Sequence, residues 1–247
     1  MSGATNPAVE VRALTMAYRE VLAVRDVSFQ VSYGEIFGLL GPNGAGKTTT
    51  LRILATLLRA SRGSARVAGI DVADDPLSVR ARVGYLTGDT GLYGRLTPRE
   101  LLDYFAELHR VPRAIGIERR ERLVRDLEIG EFADRRCETL STGQKQRVNI
   151  ARTLIHDPEI LIVDEPTTGL DIISAQFILR FLRGERERGK AVILSTHIMT
   201  EAELLCDRIA LLFEGEILAE GTLAELLSLS QRDNLTHAFL WFIDREA

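Results

Sequence analysis

The chain has 247 residues, enough for one large domain or two small ones with a full core. Its content of 45% hydrophobic and 27% charged residues is that of a globular protein, and a net charge of -4 argues against a strongly nucleic-acid-binding surface, so no nucleic-acid partner is expected. Cys137 and Cys206 supply neither a disulfide framework nor a metal-ligand spacing, MSGATNPAVE lacks the order of a signal peptide, and no run of about 18 apolar residues would span a bilayer.

Val9–Tyr18 and Val21–Val31 read as an antiparallel strand pair closed by a tight turn. Residues 35–40 form a short apolar run that stops at GPNGAGKTT, after which helical character continues to about Leu58. Further strands are expected at 64–72 and 83–86. From Thr97 the pattern changes: Thr97-Pro98-Arg99-Glu100 carries an N-cap, a proline at the first helical position and a capping-box glutamate. LLDYFAELHRV and IERRERLVRDLEI then have helical spacing, so the chain from about Pro98 to Ile155 is mostly helical. Strands return at 159–163 and 191–194 around a long helix at 172–188, and 208–218 reads as two strands turning at Glu214-Gly215. A short helix and a tail with the only tryptophan, Trp241, complete the chain. The pattern predicts an α/β fold with an inserted helical subdomain, and GPNGAGKTT after a predicted strand makes its expected core that of a P-loop NTPase, a mixed sheet with an antiparallel β-subdomain. The expected boundaries are 1–222 for the main domain, about 88–155 for the helical insert, and 223–247 for the C-terminal helix and tail.

Gly41, Pro42, Asn43, Gly44, Ala45, Gly46, Lys47 and Thr48 fit G-x-x-x-x-G-K-[ST] between a predicted strand and a predicted helix. The glycines let backbone N–H groups turn inward around a β-phosphate, and the helix N-terminus adds partial positive charge. Lys47 would bridge the β- and γ-phosphates, and the Thr48 hydroxyl would ligate Mg²⁺. That cation needs a further carboxylate, and Asp164 ends the apolar run 160–163 at the carboxyl edge of a buried strand. Glu165 follows as a free carboxylate suited to general-base attack by water. His197 lies just past another apolar strand, which should lie beside the Asp164 strand, and is expected to sense the γ-phosphate. Ser141-Thr142-Gly143-Gln144 is a second helix start, a capping box with free N–H groups.

The ordered set GPNGAGKTT, LSTGQ, ILIVDEP, TGLD and STH closely resembles the ATP-binding cassette (ABC) superfamily over nearly the whole chain. The resemblance implies ATP and Mg²⁺ as ligands. It implies that Tyr18 stacks on adenine, that Gly41 to Thr49 form the P-loop, and that Asp164 and Glu165 are metal carboxylate and base. Leu140, Ser141, Thr142, Gly143 and Gln144 match the family signature, with Thr142 where Gly is more usual; in the family it meets the ATP held by a second subunit. Gly169, Leu170 and Asp171 match the loop that crosses the dimer interface, and His197 the switch histidine. One position departs: a Gln usually follows the strand equivalent to 83–86, and spacing puts Gly88 there, then Asp89.

Of the functions this resemblance allows, a transporter energy subunit is favoured over a soluble ABC ATPase acting on ribosomes or DNA. The chain carries one uninterrupted cassette, and LSTGQ with His197 argues against a kinase or GTPase. DTGLYGRLTPRELLDYFAELH and STHIMTEAELLCDRIALL look like ABC-2-type exporters of the sodium and drug-resistance kinds, with sodium favoured. The implied partners are integral-membrane permease subunits and a second cassette, identical or homologous, at the cytoplasmic face of the membrane. Leu92, Tyr93 and Leu96 form an apolar loop that would receive a permease helix.

Overall fold

A computed structural model describes residues 6–87 and 91–246. The expected Gly88 and Asp89 contacts lie outside the described residues. The elements run β1 (Val9–Tyr18), β2 (Val21–Val31), β3 (Ile36–Leu40), α1 (Lys47–Leu54), β4 (Arg62–Val67), β5 (Ile70–Asp71), α2 (Pro76–Arg82) and β6 (Val83–Thr87). The helical stretch follows with α3 (Pro98–Leu108), α4 (Arg113–Asp126) and α5 (Thr142–Leu154), the last two separated by short 3₁₀ turns. Then come β7 (Ile160–Asp164), α6 (Ile172–Glu187), β8 (Ala191–Thr196), α7 (Met199–Leu205), β9 (Arg208–Phe213), β10 (Glu216–Gly221), α8 (Leu223–Ser230) and α9 (Leu235–Glu246).

Two sheets form. One has the antiparallel order β2-β1-β4-β5, the other the order β10-β9-β3-β8-β7-β6, in which only β10 runs antiparallel to its neighbour. β3, β7 and β8 are buried along their whole length, as expected of parallel strands covered on both faces. The sheets pack face to face through one apolar core that includes α1, and Phe29 stacks on Phe37 at 5.0 Å between ring centres. The other face of the six-stranded sheet packs on α3, α4, α5 and α6. In this order β8 lies between β3 and β7, so the segments after all three strands emerge together at the carboxyl edge.

Several expectations need correction. α1 ends at Leu54, not Leu58, because Thr56 adopts φ 61° and turns the chain. The strand expected at 64–72 is a hairpin, bent where Ala68 and Gly69 take φ of 50° and 77°. Within the expected insert, regular helix begins only at Pro98, where the Thr97 capping box forms as read. The residues after 222 are not a helix and a tail but two helices. Leu226, Leu235 and Phe239 pack against Leu40, Ile209 and Leu211 on the cassette sheet.

His109 and His156, at the ends of α3 and α5, stack with centroids 4.0 Å apart and planes 5° from parallel. His156 Nε2 donates to the Val83 carbonyl at 3.1 Å, leaving a buried Nδ1 without a partner. Burial first, then the neighbouring His109, Arg119 and Lys190, push the His156 pKa down to about 4. A histidine held neutral stabilises the fold fully above its unfolded pKa of about 6.5 and loses that contribution as pH falls toward the folded value. Urea unfolding of the wild-type chain, compared with His156→Gln, should show a stability difference that is constant above pH 7. The difference should shrink by roughly 3 kcal/mol as pH falls to 4.

Candidate active site

The loop after β3 turns around Lys47, which is only 5% exposed and whose Nζ donates to the carbonyls of Gly41 at 2.7 Å and Pro42 at 3.0 Å. These bonds close the loop on itself, as does the Ala45 N–H, which donates to the Pro42 carbonyl at 3.2 Å. Gly46 has φ 101°, and a Cβ there would lie 2.4 Å from the Ala23 carbonyl oxygen, so only glycine lets β2 approach. Burial pulls the Lys47 ammonium below the ordinary lysine range, opposed by the carboxylates of Glu165 and Asp164. A cation so placed gains from an anionic ligand.

Asp164 ends β7 and is buried, accepting a short hydrogen bond from Ser195 Oγ on the neighbouring strand, its register partner. Glu165 leaves the strand in the left-handed region at φ 52°, fixed by a 3.0 Å bond from its N–H to the Ser195 carbonyl. The turn splits the two carboxylates between different surroundings. Glu165 Oε1 lies 3.7 Å from Lys47 Nζ, while Oε2 lies 2.6 Å from His197 Nδ1 and accepts from Thr168 Oγ1 at 2.9 Å.

Asn43, Gly44, Gly46, Lys47, Thr48, Thr49, Asp164, Glu165 and His197 thus line one cleft of about 680 Å³. Gly41 and Ala45 are buried behind it, with a Cβ on Gly41 falling 2.1 Å from the Leu212 carbonyl oxygen. Pro42 is exposed at its edge. Tyr18 is not among the lining residues; it stands 42% exposed at the end of β1. Sequence reasoning missed Ala23, Arg52, Thr87 and Thr168, which also line this cleft, and Ser195, which holds Asp164. Ser195 had a usable signal, since it sits two residues before His197 at a strand end.

The signature lies elsewhere. Ser141 caps α5, accepting from Gln144 N–H at 3.3 Å while Gln144 Oε1 accepts from Ser141 N–H at 3.0 Å. Ser141, Thr142, Gly143 and Gln144 line a second cleft of about 950 Å³ together with Gly169, Leu170 and Asp171, and Leu140 is buried beneath. No residue is common to the two clefts. Between them, Gln146 Nε2 on α5 donates to the Pro166 carbonyl at 2.7 Å, one residue past Glu165.

A family model described as ABC transporter matches residues 24–168. The ABC transporter ATP-binding protein NatA of Bacillus subtilis is 42% identical over 89% of this chain and 90% of its own length. The daunorubicin/doxorubicin resistance ATP-binding protein DrrA of Streptomyces peucetius is 40% identical over 90% of this chain and 67% of its own length. Among solved structures, a dimeric post-hydrolysis state of the ATP-binding cassette MJ0796 bound to ADP and Pi is similar at 29% identity. It superposes with a TM-score of 0.78, over 87% of this chain and 98% of that one.

Proposed function

The chain belongs to the ABC transporter family, and from that premise we propose that it works as a head-to-tail pair of cassettes in an ABC-2-type exporter. It is an ATPase that powers a membrane exporter, turning ATP and water into ADP and phosphate. The observation that carries the paired arrangement is the separation of the two clefts. The phosphate-binding loop, Asp164, Glu165 and His197 meet in one, and the exposed helix start at Ser141 opens in another.

In this reading Lys47 and the N–H groups of residues 41–49 hold the β- and γ-phosphates. Among the described residues no cluster of three or more His, Cys, Asp or Glu could hold a metal. A cation here would therefore rest on Thr48, Asp164 and phosphate oxygens, the mixed coordination that suits Mg²⁺. Bound there, Mg²⁺ would neutralise charge on the phosphates. Glu165 takes the proton from the attacking water, held in place by His197 and Thr168. Tyr18, exposed at the end of β1, stacks on the adenine. Ser141 Oγ and the Gly143 N–H reach the γ-phosphate held by the partner cassette, and Gly169 to Asp171 lie along the seam.

No helix among the described residues is long and apolar enough to cross a membrane. In this reading membrane permeases on separate chains complete the exporter and this chain sits on the cytoplasmic face, as the names of its transporter ATP-binding relatives suggest. Their docking point is the groove beside the loop of Leu92, Tyr93 and Leu96, where Tyr93 is 54% exposed and packs edge-on against Tyr104 at 5.8 Å. Tyr93→Asp should abolish export while basal ATP hydrolysis by the purified chain stays near wild type. Export equal to wild type would sink this placement. Sodium stands first as the cargo and hydrophobic drugs second. Sodium and drug efflux from cells lacking the chain separates the two.

A further inference from the structure

The signature sits at the start of α5, and the two ends of that helix are held differently. Val148, Ile150, Ala151 and Leu154 are buried in the core beneath the sheet, whereas Ser141 and Thr142 are exposed and residues 143–147 only half-buried. The first turns therefore overhang the core that anchors the rest. Gln146 stands where the overhang begins, and its Nε2 donates to the Pro166 carbonyl at 2.7 Å. That acceptor is a fixed point. Pro166 and Thr167 are buried, the Glu165 N–H bonds to the Ser195 carbonyl at 3.0 Å, and the Leu170 N–H closes on the Thr167 carbonyl at 3.1 Å.

α6 meets the same overhang from a second side. A Cβ on Gly143 would fall 2.8 Å from Ser174 Oγ, which is itself held by donating to Asp171 Oδ2 at 2.7 Å. The Ser174 N–H donates to the other oxygen of that carboxylate at 2.9 Å. Ser174 thus limits how closely the signature approaches α6, and Gln146 keeps it from lifting away from the loop after β7. A neutral hydrogen bond contributes little to folding, yet a shift of about 1 Å at a group that stabilises the reacting phosphate costs on the order of a hundredfold in rate. Gln146 lines neither cleft, so its effect on the reaction is exerted through where it holds Ser141 and Gly143.

Resting on the paired arrangement above, we propose that Gln146 is a positioning residue for the ATP site of the partner cassette. Its bond to the Pro166 carbonyl holds the first turns of α5 where Ser141 Oγ and the Gly143 N–H meet the γ-phosphate carried by the other chain. The Pro166 end is tied to β7 and β8, so the bond acts on α5 and not on Glu165. Gln146 therefore serves the site to which its own chain supplies the signature, not the site to which it supplies the base.

The test measures ATPase of the full chain and then assigns the loss to a site. Gln146→Leu and Gln146→Glu, which both lack the N–H, are expected to lower kcat by at least about tenfold. Binding of a fluorescent ATP analogue to the chain's own phosphate loop should stay within about twofold of wild type, and Gln146→His, whose Nε2 reaches about as far, should restore most of the rate. In an equimolar mixture of Lys47→Ala with Ser141→Arg, the one intact site takes its phosphate loop from the Ser141→Arg chain and its signature from the Lys47→Ala chain. Gln146→Glu added to the Lys47→Ala chain should cut the recovered ATPase by at least about tenfold, and added to the Ser141→Arg chain should leave it unchanged. Loss only in the second placement would overturn the proposal by assigning Gln146 to the base of its own chain. Equal loss in both placements, or loss in neither, would overturn it as well. A parent mixture that recovers no activity would overturn the paired arrangement itself, and the proposal with it. Gln146→Glu is nearly isosteric, so it carries the test even if Gln146→Leu fails to fold.

Discussion

Glu165→Gln is expected to lower steady-state ATP hydrolysis by roughly two to four orders of magnitude while ATP binding holds or tightens. The amide is isosteric, and its oxygen can still accept from Thr168 Oγ1 and His197 Nδ1, which now lie 2.9 Å and 2.6 Å from Oε2. Geometry is therefore preserved and only the proton acceptor is removed. Binding does not suffer, because the lost negative charge stood 3.7 Å from Lys47 and competed with phosphate for the same ammonium. With ATP bound and not consumed, paired cassettes accumulate. Phosphate release measures the first effect, and light scattering with and without ATP measures the second. A variant that hydrolyses ATP at the wild-type rate removes Glu165 as the base.

The contrast with Asp164 explains why one carboxylate of the pair is suited to this task. Asp164 is buried at the end of β7 and already engaged by Ser195, which orients it and leaves it a fixed acceptor. Glu165 is turned out of the strand by its left-handed backbone and is partly exposed, where water can reach it. Two adjacent residues of like chemistry are thus given different surroundings by a single backbone turn.

That turn was not legible in the sequence. DEP gives the order of the carboxylates, but the φ of Glu165 follows from the bond to Ser195, a residue thirty positions away. Local signals read well where local physics decides: the β1–β2 hairpin and the capping boxes at Thr97 and Ser141 form as their residue types predict. The helix at Pro76–Arg82 carries the same kind of signal, Asp75 accepting from the Ser78 N–H with Pro76 at the first position, although the sequence reading places no element there. The overlong α1 has a different cause: the apolar spacing of ATLL continues past the point where Thr56 reverses the chain. At the candidate site the P-loop, Asp164, Glu165 and His197 were visible as motifs. Thr168 was not, because its bond to Glu165 depends on how the loop after β7 folds back. Neither was the division into two clefts, since that depends on where the helical insert packs.

The division into two clefts leads to the second large effect, which appears in a mixture of two inactive proteins. Lys47→Ala loses the ammonium that the P-loop holds in the phosphate cleft, and Ser141→Arg fills the other cleft with a bulky side chain while removing the helix cap, at a fold cost of about 1 kcal/mol. Each variant alone should fall to a small fraction of wild-type ATPase, because in a head-to-tail homodimer each defect enters both composite sites. In a mixed dimer the defects fall together. One site combines the Lys47→Ala loop with the Ser141→Arg signature and is dead. The other combines the intact loop of the Ser141→Arg chain with the intact signature of the Lys47→Ala chain. Random pairing makes half the dimers mixed, each with one intact site, so the mixture should recover roughly a quarter of wild-type activity if sites act independently. Were Ser141 to serve the nucleotide bound by its own chain, every site in every dimer would carry a defect and mixing would restore nothing. Phosphate release from the equimolar mixture, against each variant alone, distinguishes these outcomes by whether one cassette completes the other.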